Sequence, residues 1–191
     1  MSERVARRRA ETRRRIVDVA MRLFVERGYD NVTVADITEA ADVAKGTFFT
    51  HFPSKSDIFR YVGSEAVDAM AAAATGEGTA RERITAALDA AARWHVEHQD
   101  LGRQMLLVRS FNFAKDLGSD NQRRFSGIVM DLLAEGVASG EFRSDLAVAD
   151  AALLIQGTYY LSVITWLSTP EDRPLNDRMD AALDVLFRGI Q

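Results

Sequence analysis

Lys45, Thr47, Thr50, His51 and Lys55 fall within one short stretch, KGTFFTHFPSK, with Phe48, Phe49 and Phe52 set among them. Ammonium, hydroxyl and imidazole groups at this spacing suit hydrogen bonding to phosphate oxygens and base edges, with rings available to anchor the segment. A second cationic group lies upstream. Residues 1 to 15 hold Arg4, Arg7, Arg8, Arg9, Arg13, Arg14 and Arg15 against Glu3 and Glu11, although the whole chain carries a net charge of −4. A basic arm on an acidic body lets one end alone approach phosphates, because neutralisation of a nucleic-acid backbone is local and releases counterions. Arg8 and Arg14 are the arm residues assigned to that contact.

Other chemistry is poorly represented. His95 and His98, with Glu97 between them, share a helix face at i and i+3, but no third ligand is placed by spacing, so no metal site is expected. Cysteine is absent from the 191 residues, which excludes disulfides, thiolate metal sites and thiol nucleophiles. The histidines lack a matching nucleophile, no glycine-rich phosphate loop appears, and no carboxylate pair sits in an apolar setting. Neither an enzyme nor a cofactor is expected.

The elements that must position the cationic groups are helical. Hydrophobic content is 47% with only three prolines, and long segments rich in Ala, Leu, Arg and Glu predict an all-α chain of about nine helices. Ile16, Val19, Ala20, Leu23 and Phe24 recur on one helical face from Glu11 to Arg27, and Gly28 stands where a helix stops. Thr33 with Asp36 forms a capping-box pattern opening a short second helix that ends near Ala41. After the break at 42–44, KGTFFTHF is long enough for about two turns before Pro53, which disfavours helix in the residue ahead of it. Ser54 with Asp57 predicts a further capping box and a fourth helix to about Ala74. The glycine-containing stretch 75–79 reads as a loop. Beyond it helices are predicted near 80–98, 101–116, 119–139, 147–168 and 175–189.

Two short helices joined by a tight turn, the second followed at once by a long helix, make a helix-turn-helix, whose second helix fits the major groove. The string TVADITEAADVAKGTFFTHFPSKSDIF, preceded by a helix ending in Glu26-Arg27-Gly28-Tyr29, resembles the DNA-binding domain of the TetR (tetracycline repressor) family over residues 14–62. The resemblance implies that Thr33 and Lys55 contact phosphates from the starts of helices two and four, and that Lys45, Thr47 and Thr50 face base edges or nearby backbone. A helix N-terminus offers free N–H groups to an anion, in agreement with that placement. Gly46 starts the recognition helix, and His51 adds a polar handle. One position departs from the family pattern: Phe49 replaces the usual tyrosine and cannot donate to a phosphate, a loss of about 1 kcal/mol. Ala35 offers no long base-reading side chain from helix two.

The resemblance also implies a C-terminal helical domain for ligand binding and dimerisation, with residues 1–55 forming the arm and DNA-binding domain, 56–191 the remainder, and 56–74 the connecting helix. Trp94, Met105, Phe111, Met130, Gln156, Tyr159 and Tyr160 are the candidate pocket residues. A pocket of this make-up suits a small hydrophobic ligand with one or two hydrogen-bonding groups. Apolar stripes on the last two helices, including Leu153, Ile155, Ile164, Leu183 and Val185, would let two copies pack as a four-helix bundle, the homodimer seam that the resemblance implies. Two recognition helices would then read half-sites of a palindromic operator in double-stranded DNA about 34–36 Å apart. The expected function is a transcriptional repressor released by its ligand; the competing reading is a helical small-molecule carrier or enzyme that has lost DNA binding. The longest apolar stretch, 147–167, is interrupted by Asp150, Gln156, Thr158 and Ser162, so a cytoplasmic location without a membrane partner is expected.

Overall fold

A computed structural model describes residues 3–100, 102–103, 119–169 and 173–190. All regular elements among them are helices: α1 (Glu3–Arg27), α2 (Val34–Ala40), α3 (Lys45–His51), α4 (Asp57–Ala74), α5 (Ala80–Glu97), α6 (Asp120–Ser139), α7 (Val148–Ser168) and α8 (Leu175–Ile190). The helix predicted over 101–116 falls almost wholly outside the described residues.

Helix α1 begins at Glu3 rather than near Glu11, so the arginine arm is itself helical. Arginine, alanine and glutamate favour helix, and no glycine or proline intervenes before Gly28. The exposed Arg7–Glu11 pair, 3.4 Å apart at i,i+4, adds a few tenths of a kcal/mol at most, on the order expected of such pairs. At the other end Gly28 adopts φ 79° and donates its N–H to the Phe24 carbonyl at 2.9 Å, a left-handed stop that glycine adopts without steric penalty.

The Thr33 capping box forms as predicted: the Thr33 N–H donates to Asp36 Oδ2 at 2.7 Å, and the Asp36 N–H to Thr33 Oγ1 at 3.2 Å. Between α2 and α3 Asp42 takes φ 51°, a left-handed conformation that costs a non-glycine residue roughly 1–2 kcal/mol. The predicted box at Ser54 does not open α4. Ser54 Oγ donates to Asp57 Oδ2 at 2.6 Å, but 54–56 form a turn closed by Asp57 N–H to Ser54 O, 3.2 Å, and the helix begins only at Asp57. A cap needs extended backbone, and the turn removes it.

Helix α5 starts on a box missed in the sequence, Thr79 with Glu82. A second carboxylate reinforces that start: Glu141, from the turn after α6, accepts the Ala80 N–H at 2.7 Å and the Arg81 N–H at 2.9 Å. The close approach depends on Gly136, where a Cβ would overlap the Phe142 ring and lie 2.9 Å from the Ala80 methyl. Phe142 in turn stacks on Phe187 of α8, with centroids 6.0 Å apart.

Two buried clusters result. Ile16, Phe24, Ile37, Phe48, Phe52 and Ile58 form the heart of the first, from α1 to α3 and the start of α4. The second joins Met70, Ile84, Leu88, Val129, Leu133 and Met179 from α4 to α8. Helix α4 contributes to both, with Ile58, Phe59, Val62 and Ala66 in the first and Met70 and Ala74 in the second. Helix α7 is long and apolar enough to cross a membrane by length and composition. Its Ile155, Tyr159, Val163 and Trp166 are buried in the second cluster, while Leu153, Leu154, Leu161 and Ile164 are exposed on the protomer. That division explains a helix apolar on all sides.

Candidate nucleic-acid interface

Helix α3 is held from behind. Phe48 is fully buried and Phe52 1% exposed, their rings 5.7 Å apart, whereas Lys45, Gly46, Phe49 and Thr50 are exposed. Nothing lies within 4 Å of a Cβ built at Gly46, so internal packing does not require glycine there. Phe49, 47% exposed, meets Phe48 edge-on at 5.4 Å and presents an apolar surface on the outer side. Thr47 is half-buried. Thr50 donates its hydroxyl to the Gly46 carbonyl at 2.9 Å, which leaves its methyl and oxygen lone pair for an external partner.

His51 ends the helix beside the arm. Burial, and then the charges of Arg9 and Arg13, hold its imidazole below the usual histidine pKa, so it is neutral at pH 7. Arg8 and Arg14 are exposed on α1. Arg13 turns inward: its guanidinium lies 4.1 Å from the Tyr61 ring and 5.3 Å from Phe52, and its Nε is buried without a hydrogen-bond partner. One arginine of the arm thus clasps α1 to α4 by cation–π contact. Residue spacing gave no sign of this, because the partner ring lies on another helix.

Thr33 and Lys55 are both engaged within the protein. The Thr33 hydroxyl and N–H both bond Asp36, and those bonds hold the Asp36 carboxyl below the usual aspartate pKa. Lys55 Nζ donates to the carbonyls of Tyr29 and Val32, each at 2.7 Å, and sits 3.9 Å from the Tyr29 ring. Burial pulls its pKa down, while Asp30 and Asp36 act in the opposite direction. The ammonium therefore ties the loop after α1 to the turn that precedes α4, with one of its three protons left over.

In the body, the structure brings Gln156, Tyr159 and Tyr160 together on α7 against Phe125 of α6. Phe125 lies 5.1 Å from Tyr159 and 5.9 Å from Tyr160. Gln156 is 4% exposed; its Oε1 accepts from Ser126 Oγ at 3.2 Å, and its buried Nε2 has no hydrogen-bond partner. Trp94 does not join them but belongs to the first cluster, with Phe24 and Val62. Met130 is 38% exposed, on the outside of α6, because the buried face of that helix is occupied by Phe125, Val129, Leu132 and Leu133. Met105 and Phe111 lie outside the described residues.

Comparison with known proteins agrees with this layout. Residues 16–62 match the bacterial regulatory proteins of the tetR family, and residues 77–190 match the tetracyclin repressor-like C-terminal domain. The fatty acid metabolism regulator protein of Bacillus subtilis is 26% identical over 181 residues, 92% of this chain and 93% of that protein. The HTH-type transcriptional repressor KstR2 of Rhodococcus jostii is 28% identical over 166 residues, 79% of this chain and 78% of that protein. The fold is similar to that of the transcriptional regulator FadR of Bacillus subtilis, solved in complex with stearoyl-CoA, with a TM-score of 0.75 at 24% identity, covering 93% of this chain and 98% of that one.

Proposed function

The chain belongs to the TetR family of bacterial regulatory proteins, and from that premise we propose that it represses transcription as a homodimer on a palindromic operator and is released by a long-chain acyl thioester of coenzyme A. It is a DNA-binding transcriptional regulator controlled by a small molecule. In this reading DNA binding belongs to residues 1–55 and ligand binding and dimerisation to 56–191, with α4 joining the two.

The observation that carries the DNA-binding half of this reading is the bare first turn of α3. Lys45 and Gly46 project from a helix locked behind by Phe48 and Phe52, with open space where a side chain at Gly46 would stand. A glycine in a helix costs about 1 kcal/mol relative to alanine, and at a site with no neighbour that cost is explained by an external surface that must come close. Lys45 is suited to a guanine edge, and Thr47 and Thr50 to a thymine methyl or phosphate. Phe49 covers sugar or methyl groups. Arg8, Arg14, His51, the third Lys55 proton and the amides around Thr33 meet the backbone.

The ligand half rests on Gln156 and on the relatives. A buried amide N–H without an acceptor is costly, on the order of 1–3 kcal/mol; a ligand carbonyl among Phe125, Tyr159 and Tyr160 would satisfy it, and an acyl thioester supplies both carbonyl and apolar chain. The B. subtilis structure with stearoyl-CoA makes that compound the first to test. The dimer is supported by Leu153, Leu154, Leu161 and Ile164 on α7 and Val185 on α8, all exposed in one protomer. Part of the predicted stripe is internal: Ile155 and Leu183 are buried in the second cluster.

Selection of bound sequences from a random duplex pool, followed by titration of the winner with stearoyl-CoA, tests both halves. A palindrome bound by two chains and released on addition of stearoyl-CoA is expected. Absence of any enriched sequence at moderate salt would overturn the DNA half; an enriched palindrome indifferent to stearoyl-CoA would overturn the ligand half alone.

A further inference from the structure

Consecutive residues of α5 face different parts of the molecule: Trp94 is buried in the first cluster, and the half-buried His95 lies beside Tyr159 of the second. The other buried residues of this helix, Ala80, Ile84, Ala87, Leu88, Ala91 and Ala92, belong to the second cluster, while Trp94 belongs to the first. Its indole N–H donates to Glu65 Oε2 of α4 at 3.4 Å. The ring stacks on His98, with centroids 4.6 Å apart and planes 18° from parallel, and His98 Nδ1 lies 2.8 Å from the Trp94 carbonyl oxygen. His95, the next residue, faces the body. Its ring is 6.1 Å from that of Tyr159 on α7, and Tyr159 lies one turn beyond Gln156 on the buried face of that helix.

Adjacent side chains on an α-helix diverge by about 100° and share one backbone, so a movement of that turn of helix carries both. We infer that Trp94 and His95 form the joint through which the state of the body reaches α4 and the recognition helix. Displacement of Tyr159 by a ligand presses on His95 and rolls the last turn of α5. Trp94 then shifts within the first cluster and against Glu65, so that α4 moves with it. Neither residue touches DNA; both are positioning residues. The inference rests on the reading that a ligand beside Tyr159 governs DNA release, and it adds where the coupling passes.

Because coupling between two sites is reciprocal, operator binding must also alter the body, and this gives a readout that needs no ligand. Hydrogen exchange of residues 155–163 is measured with and without the selected operator duplex in the wild-type dimer and in the variants Trp94→Leu, His95→Ala and Trp94→Phe. Operator affinity is measured in parallel with and without saturating stearoyl-CoA, and circular dichroism establishes folding. The wild-type protein is expected to show a change in exchange at 155–163 on operator binding, and weakening of operator affinity by stearoyl-CoA within the usual 5–150-fold range. Trp94→Leu and His95→Ala are expected to bind the operator within about threefold of wild type, since neither residue contacts it. Both lose the exchange response, and stearoyl-CoA then weakens their operator affinity by less than about twofold. Trp94→Phe, which keeps a ring in the cluster, retains most of both responses; a role in packing alone would shift melting temperatures and leave them intact. If Trp94→Leu does not fold, His95→Ala and Trp94→Phe decide the matter. The joint is overturned if His95→Ala keeps the full exchange response, or if operator binding leaves 155–163 unchanged in the wild type. A wild-type exchange response without any effect of stearoyl-CoA would instead overturn the acyl thioester reading and leave the joint to be judged on exchange alone.

Discussion

At the scale of single residues, two basic side chains change meaning once their surroundings are known. Lys55 bonds two loop carbonyls and a ring, so its loss strands acceptors as well as removing a charge. Lys55→Ala is expected to lower stability by about 2 kcal/mol, the range for charge-assisted bonds, and to weaken all duplexes alike. Thermal melting beside filter binding checks this; unchanged melting would mean the clasp contributes nothing. His51 gives a pH signature. Its folded pKa lies below the ordinary value of about 6.5, so its contribution to stability is present above that pH and fades as pH falls through the folded pKa. A phosphate docking beside Arg9, Arg13 and His51 offsets the two guanidinium charges and draws a proton onto the imidazole. Operator affinity is therefore expected to rise as pH falls from 8 to 6, and His51→Gln to flatten that slope. Equal slopes in both proteins would remove His51 from the contact.

At the scale of helices, two glycines make opposite predictions. Gly136→Ala forces a methyl into Phe142 and Ala80 and is expected to lower stability by about 1–3 kcal/mol, read as a drop in melting temperature with operator affinity intact. Gly46→Ala meets no neighbour and is expected to raise stability by up to about 1 kcal/mol while weakening operator binding; a variant both stabler and fully active would show that nothing approaches that turn. Boundaries marked by local backbone chemistry were legible in the sequence: the Thr33 box, the Gly28 stop, the starts of α6 and α8. The Ser54 box was not, since the same residue pattern serves a turn when the chain is not extended. Residue type singled out Lys55 and Trp94, while Arg13 was only one of seven arm arginines, and periodicity cannot say which way a long side chain at a helix margin turns. Trp94 lies on an apolar face between two cores, and only packing decides which one receives it.

At the scale of the whole molecule, the exposed apolar face of α7 and α8 ties assembly to DNA reading. Leu161 is 65% and Val185 72% exposed in one protomer, so a substitution there leaves the fold of a lone chain within about 0.5 kcal/mol of wild type. Leu161→Glu with Val185→Arg is expected to give folded monomers by sedimentation, and to reduce operator affinity to that of a half-site. Persistent dimers would place the seam elsewhere. The dual membership of α4 bears on how this architecture can be recombined. A head transplanted onto another body at residue 56 would leave behind Ile58, Phe59, Val62 and Ala66, and one cut after residue 74 would carry Met70 and Ala74 away from the core they complete. No clean splice point exists along that helix, so a working chimera must keep α4 whole and redesign whichever core has lost its half.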